Sequence, residues 1–91
     1  VFFTDTFDKA MAEANNTKYG LAAGLISDNE KLFDEFVRRI NAGVINFNST
    51  TTGASGAFPF GGIGRSGNLR PAGFYAADYC AWPKASIIKK L

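Results

Sequence analysis

The chain has 91 residues, of which 46% are hydrophobic and 20% are charged, and its formal net charge is +2. A chain of this length forms at most one domain with a modest core, and its interspersed acids and bases imply neither a nucleic acid nor an anionic membrane as a partner. One cysteine and no histidine exclude an internal disulfide, a zinc cluster and a Ser-His or Cys-His catalytic pair, and the lack of a signal peptide or bilayer-spanning stretch predicts a cytoplasmic location.

The chain begins with a predicted strand end at residues 1–4, followed by a helix. Either Asp5 or Thr6 can cap this helix, because both side chains accept hydrogen bonds from free backbone N–H groups. Apolar side chains then recur at helical spacing. These positions are Phe7, Ala10, Met11 and Ala14.

A second strand and a second helix follow. Residues 22–26 form a continuous apolar run that suits a strand covered on both faces. Ser27 and Glu30 have the spacing of a capping box and predict the start of the helix. The apolar stripe of that helix consists of Leu32, Phe33, Phe36, Val37 and Ile40.

The third predicted strand covers residues 43–48 and delivers a long loop of small residues. Strand, helix, strand, helix, strand is the order typical of an α/β fold with parallel strands and covering helices. Ligands bind beyond the C-terminal ends of the strands in such sheets. The loop at residues 49–58 is therefore the predicted functional segment.

Gly53, Ala54 and Ser55 lie in the middle of this loop, and their small side chains leave the backbone N–H groups uncovered. A run of such groups can curl into a concave nest that binds a carboxylate or a phosphate. The aromatic residues on either side of Pro59 indicate an ordered loop, since they need a packing surface. A plain glycine-rich connector is the alternative interpretation.

Arg70 and Pro71 are predicted to start a short helix that reaches Ala76. An extended apolar segment then follows at residues 79–82, which leaves surface for a partner to cover. Cys80 has no adjacent base or cation, so we predict a buried structural thiol rather than a nucleophile.

The glycine pattern at residues 62–67 resembles a dinucleotide-binding fingerprint, but the required strand before it and helix after it are missing. We predict a turn whose glycines allow close backbone packing. Arg65 and Arg70 flank this turn. They could bind an anionic group of a substrate, but we favour a structural salt bridge.

Three blocks, at residues 16–21, 41–48 and 59–67, resemble the C-terminal part of the NAD(P)-dependent aldehyde dehydrogenase superfamily, and the resemblance covers essentially the whole chain. Within it, residues 52–55 and 75–83 look like the branch that oxidises N-succinylglutamate 5-semialdehyde with NAD in arginine catabolism. The loop alone also resembles pyrroline-5-carboxylate dehydrogenases.

The resemblance implies that the catalytic cysteine, the catalytic glutamate and the NAD site lie upstream in a longer protein. Cys80 does not match the nucleophile's motif and does not inherit its role. No catalytic, cofactor-binding or metal-binding residue is expected here, and the chain alone is expected to be inactive. Gly53 and Ala54 match the small-residue pair whose backbone N–H groups hold the substrate carboxylate in relatives that act on acidic semialdehydes. Ser55 is placed to add a hydroxyl donor, and Phe60 matches an aromatic that lines the aldehyde channel.

The expected organisation is a C-terminal part of the catalytic domain at residues 1–78, with the anchor loop at 48–67, and an extended oligomerisation segment at 79–91. The expected partners are an acidic semialdehyde, the rest of the parent chain and further copies of the protein. A free-standing nucleotide-binding module and a non-catalytic interaction domain remain as alternatives.

Overall fold

A computed structural model describes all 91 residues, which form three helices and six short strands. Two strands pair in parallel, and the other four form two antiparallel pairs. The elements in chain order are α1 (Phe7–Asn15), β1 (Tyr19–Gly20), β2 (Ala22–Leu25), α2 (Glu30–Arg39), β3 (Val44–Phe47), β4 (Pro59–Phe60), β5 (Ile63–Gly64), β6 (Ala72–Gly73) and α3 (Ala76–Tyr79).

Helix α1 begins after Thr6, whose side chain accepts a hydrogen bond from the Lys9 backbone N–H at 3.2 Å. Of the two predicted caps, Thr6 is therefore the one used. At the other end, the Asn15 side chain donates to the Arg39 carbonyl and accepts from the Asn41 N–H, each at 2.8 Å. Because these groups lie at the end of α2, one asparagine holds the two helices together.

Helix α2 is capped by Asn29 rather than by Ser27, so the predicted capping box is wrong. The Asn29 side chain accepts from the Lys31 N–H at 3.1 Å, and Ser27 Oγ accepts from the Asn29 N–H at 3.0 Å. The Ser27 backbone is bonded to the side chain of Asn48 on the neighbouring strand. This contact holds Ser27 at the end of the sheet, so the helix starts later.

The parallel pair of β2 and β3 runs from Ala22 opposite Val44 to Leu25 opposite Phe47. Helix α2 covers this pair, and the Phe33 ring stacks on the Phe47 ring with 4.7 Å between centroids. The coverage is incomplete, because the residues of β2 are half-buried or exposed. The prediction that β2 is covered on both faces is therefore wrong for this chain.

The predicted strand at residues 1–4 is also wrong, since no strand forms there and Val1, Phe2 and Phe3 are exposed. A strand requires a neighbouring backbone to complete its hydrogen bonds. No other strand of the chain lies beside these residues. The parallel sheet therefore has two strands instead of the three that the sequence order predicted.

The segment after the loop folds back in two antiparallel pairs. Strand β4 pairs with β6, and Ala72 lies opposite Phe60. Residues that were predicted to be helical from Arg70 onward are thus used as a strand, and α3 begins only at Ala76. Gly73 has a φ of +66°, a conformation that favours glycine and turns the chain out of the strand.

Most of the chain is open to solvent. Only 3 of the 91 residues are buried, including Met11 and Phe36, and the accessible surface is 7749 Å². A compact monomer of this length exposes about 5,200 Å². The radius of gyration is 18.5 Å, compared with about 12 Å for a compact domain of the same length. The chain is therefore more extended than a compact domain of its length.

Residues 82–91 contain no helix or strand, and Trp82 is 85% exposed. The prediction that Cys80 is buried is wrong, because Cys80 is exposed. None of the three helices has the length and apolar character that a membrane span requires.

Candidate functional site

The loop at residues 49–58 leaves the C-terminal end of β3, as the strand pattern predicted. Asn48 begins it with a φ of +49°, a left-handed conformation that asparagine tolerates better than most residues. The loop then folds back along β3 and enters β4. Its middle therefore faces the strand from which it came.

A cavity of about 390 Å³ lies between the loop and β3. All the residues predicted to bind substrate, Gly53, Ala54, Ser55 and Phe60, line this cavity. The structure therefore brings together positions that the chain separates by several residues. The rest of the lining consists of Gly43, Val44, Ile45, Asn46, Phe58 and Pro59.

The backbone N–H groups of Gly53, Ala54 and Ser55 donate to no acceptor within the chain. Gly53 has a φ of +114°, which L side chains rarely adopt, yet no atom lies within 4 Å of a Cβ built at this position. Position 53 therefore requires glycine because of its backbone conformation and not because of crowding. Three successive unbonded donors at the wall of a cavity can bind an oxyanion.

Ser55 shapes the turn that follows. Its carbonyl accepts from the Phe58 N–H at 3.1 Å, and its Oγ accepts from the Ala57 N–H at 3.2 Å. A hydroxyl that accepts a hydrogen bond still has its own proton to donate. Ser55 can therefore hold the turn and offer a donor to a ligand at the same time.

Asn46 is a site residue that the sequence patterns did not single out. It lies in the middle of β3, and its Nδ2 donates to the carbonyl oxygens of Thr50 and Thr52, the latter at 3.2 Å. The Oγ1 atoms of these two threonines are 2.7 Å apart. A polar residue among Val44, Ile45 and Phe47 is the signal that could have identified it.

No charged side chain lines the loop cavity. Arg65 and Arg70, the predicted anion contacts, are not among its lining residues and form no ion pair. The predicted salt bridge at these arginines is therefore wrong for this chain, and the site's electrostatics come from peptide N–H dipoles.

A larger cavity of about 620 Å³ lies elsewhere, between Arg70 and Pro83, and is lined mainly by Tyr75, Tyr79 and Trp82. It shares no residue with the loop cavity. Trp82 is almost fully exposed, so this region is an open apolar surface. Its size alone does not make it the better candidate for a polar ligand, because the convergent free donors lie in the loop cavity.

The glycine pattern at residues 62–67 forms the predicted turn. Ser66 N–H donates to the Ile63 carbonyl at 3.0 Å, and a Cβ built at Gly62 would lie 2.6 Å from the Gly20 carbonyl oxygen. Close backbone packing against β1 is thus the reason for the glycine at position 62. Because β5 is antiparallel and no helix starts directly after the turn, this turn does not fit the pyrophosphate of NAD.

Comparison with known proteins identifies the larger fold. The model of the aldehyde dehydrogenase family matches residues 1–85. The chain is 62% identical over 82 residues to N-succinylglutamate 5-semialdehyde dehydrogenase 2 from Caulobacter vibrioides, covering 90% of this chain and 17% of that protein. The chain therefore spans less than a fifth of the length of this relative.

Two solved structures share the arrangement described above. An NAD-dependent aldehyde dehydrogenase from Sinorhizobium meliloti superposes with a TM-score of 0.75 at 38% identity, over 85% of this chain and 15% of that one. Aldehyde dehydrogenase 21 from Physcomitrella patens was solved in complex with the reaction product succinate. It superposes with a TM-score of 0.74 at 28% identity, over 82% of this chain and 16% of that one.

Proposed function

This chain belongs to the aldehyde dehydrogenase family, and we propose that it supplies the substrate anchor of an NAD-dependent enzyme that oxidises N-succinylglutamate 5-semialdehyde to N-succinylglutamate. The longer protein of which it would be a segment is called the parent enzyme below. The observation that carries the proposal is the set of unbonded N–H groups at Gly53 and Ala54 on the cavity wall.

These donors suit a carboxylate better than an aldehyde. A carboxylate oxygen accepts several N–H groups in charge-assisted hydrogen bonds, which are about twice as strong as neutral ones. N-succinylglutamate 5-semialdehyde carries two carboxylates at neutral pH, so its non-reacting end matches the loop. The relative solved with succinate, itself a dicarboxylate, supports an acidic substrate class.

The other site residues complete the anchor. Ser55 has a hydroxyl proton available, and it adds a donor beside the Ala54 N–H. Phe60 lines the same cavity and is about two-thirds shielded, so its ring provides an apolar wall for the carbon chain of the substrate. The anchor therefore holds the charged end and leaves the aldehyde end directed away from it.

The remaining chemistry is assigned to other parts of the parent enzyme. NAD accepts a hydride from the substrate when it is bound, and the glycine turn at residues 62–67 lacks the strand–turn–helix arrangement that would hold its pyrophosphate. The only thiol, Cys80, is exposed and lines neither cavity described above. The contribution of this segment is to bind and orient the substrate, which lowers the entropic cost of the reaction.

The test uses the parent enzyme with Ala54→Leu, which places bulk over the donors. We expect KM for N-succinylglutamate 5-semialdehyde to rise about tenfold or more through loss of charge-assisted hydrogen bonds, with KM for hexanal changing less than twofold. The matched control is Gly56→Leu in the same loop, where a Cβ meets no atom within 4 Å and the residue does not line the cavity. Equal changes for both aldehydes would contradict the anchor.

A further inference from the structure

Asn46 connects the sheet to the anchor loop. Its side-chain amide has two N–H donors, and both are used, one on the Thr50 carbonyl and one on the Thr52 carbonyl. On the partner strand, Gly24 lies opposite Asn46 and has no side chain that could compete for these donors. Strand β3 therefore holds the loop at Thr50 and Thr52.

Peptide geometry carries this contact to the next residue. A trans peptide is planar, and its C=O and N–H bonds point in opposite directions. No peptide bond in the chain is cis. Since the Thr52 carbonyl points to Asn46, the N–H of Gly53, in the same peptide plane, must point away from the Asn46 amide. This N–H is one of the unbonded donors of the loop.

We infer that Asn46 is a positioning residue for substrate specificity, which acts through the Thr52–Gly53 peptide and rests on the proposed function of the loop. Both Asn46 donors are already bonded to the chain, so the residue does not need to bind substrate itself. It selects the orientation in which the Gly53 N–H stays free. Without the Asn46 amide, the Thr52–Gly53 peptide can rotate and turn its carbonyl toward the bound carboxylate. The carbonyl oxygen then repels the carboxylate.

Leucine at position 46 tests this role, because its side chain has the same number of heavy atoms and the same branch at Cγ as asparagine but has no donor. In the parent enzyme with Asn46→Leu, we expect KM for N-succinylglutamate 5-semialdehyde to rise about tenfold, the loss expected for one hydrogen bond to a charged group. The value of kcat and the KM for hexanal should change less than twofold, since the reacting end is untouched.

The matched control is Asn15→Leu, which also removes a side-chain amide bonded to two backbone groups, but between the helices. It should lower the melting temperature and leave the ratio of the two KM values unchanged. Asn46→Asp provides a second variant if leucine prevents folding, because aspartate keeps the shape and cannot donate. Its added charge is controlled by Asn41→Asp, an exposed position outside the loop cavity.

The outcomes separate this inference from the proposed function. A selective effect of Ala54→Leu together with no selective effect at Asn46 would overturn the positioning role and leave the anchor intact. No selectivity in either variant would overturn both. If Asn46→Leu raised KM equally for both aldehydes, Asn46 would have a purely structural role. That result would also overturn the inference.

Discussion

Asn48 and Ser27 exchange two hydrogen bonds, each 2.8 Å long, at the C-terminal ends of β3 and β2. The side chain of Asn48 accepts from the Ser27 N–H and donates to the Ser27 carbonyl, so it takes the place of one further backbone rung. Asn48 adopts its left-handed φ at the same point. One residue thus ends the sheet and directs the chain into the anchor loop.

Replacing Asn48 should destabilise the parent enzyme in a way that depends on backbone conformation. Both Asn48→Gly and Asn48→Ala lose the two hydrogen bonds, but only alanine is also strained at positive φ, by about 1–2 kcal/mol. We therefore expect a lower melting temperature for Asn48→Ala than for Asn48→Gly, measured by differential scanning fluorimetry. Equal melting temperatures for the two variants would argue against a role for the left-handed backbone.

Arg39 should stabilise the contact between α1 and α2. Its guanidinium pairs with Asp8 at 2.8 Å and with Glu35, and lies over the Phe7 ring at 5.7 Å from the centroid. We expect Arg39→Leu to lower the melting temperature of the parent enzyme. The control is Arg38→Leu, an exposed neighbour that forms no ion pair and should have little effect.

The effect of Arg39→Leu should not change between pH 7 and pH 10. Hydrogen bonds to Asp8 and then to Glu35 raise the pKa of Arg39 above its usual value. A cation whose pKa is raised on folding contributes fully below its unfolded pKa and loses that contribution only as the pH rises through the folded value. A melting-temperature difference that shrinks between pH 7 and pH 10 would therefore contradict this assignment.

The isolated chain should neither catalyse the reaction nor unfold cooperatively. Only 3 of its 91 residues are buried, so it lacks the core that a cooperative transition requires. We expect no NADH from NAD and N-succinylglutamate 5-semialdehyde in a spectrophotometric assay, and a broad thermal transition by circular dichroism. NADH formation would contradict the assignment of the nucleophile and base to other parts of the parent enzyme. A sharp transition would contradict the conclusion that the isolated chain lacks a complete core.

Much of the local structure could be predicted from the sequence. Three features depend only on residues that are close in the sequence: the Thr6 cap, the helical spacing before Asn15 and the β-branched run before Asn48. The family followed from three motif blocks in the correct order, and the comparisons confirm it. The predicted site residues are Gly53, Ala54, Ser55 and Phe60, and all four line one cavity.

The errors occurred where a distant segment decides the outcome. Ser27 cannot cap α2 because its backbone is bonded to Asn48, and Ala72 joins a strand because Phe60 lies beside it. Residues 1–4 form no strand because no strand of this chain lies beside them.

The sequence alone determined α1 and α2, the central strand, the small-residue loop and the family, since these depend on local spacing and motif order. Only the tertiary structure decided that Asn46 holds the loop through Thr50 and Thr52, and that the donors at Gly53 and Ala54 stay unbonded. The physical reason is that the direction of a peptide N–H depends on where its carbonyl finds a partner. That partner lies on another element, which no local pattern in the chain specifies.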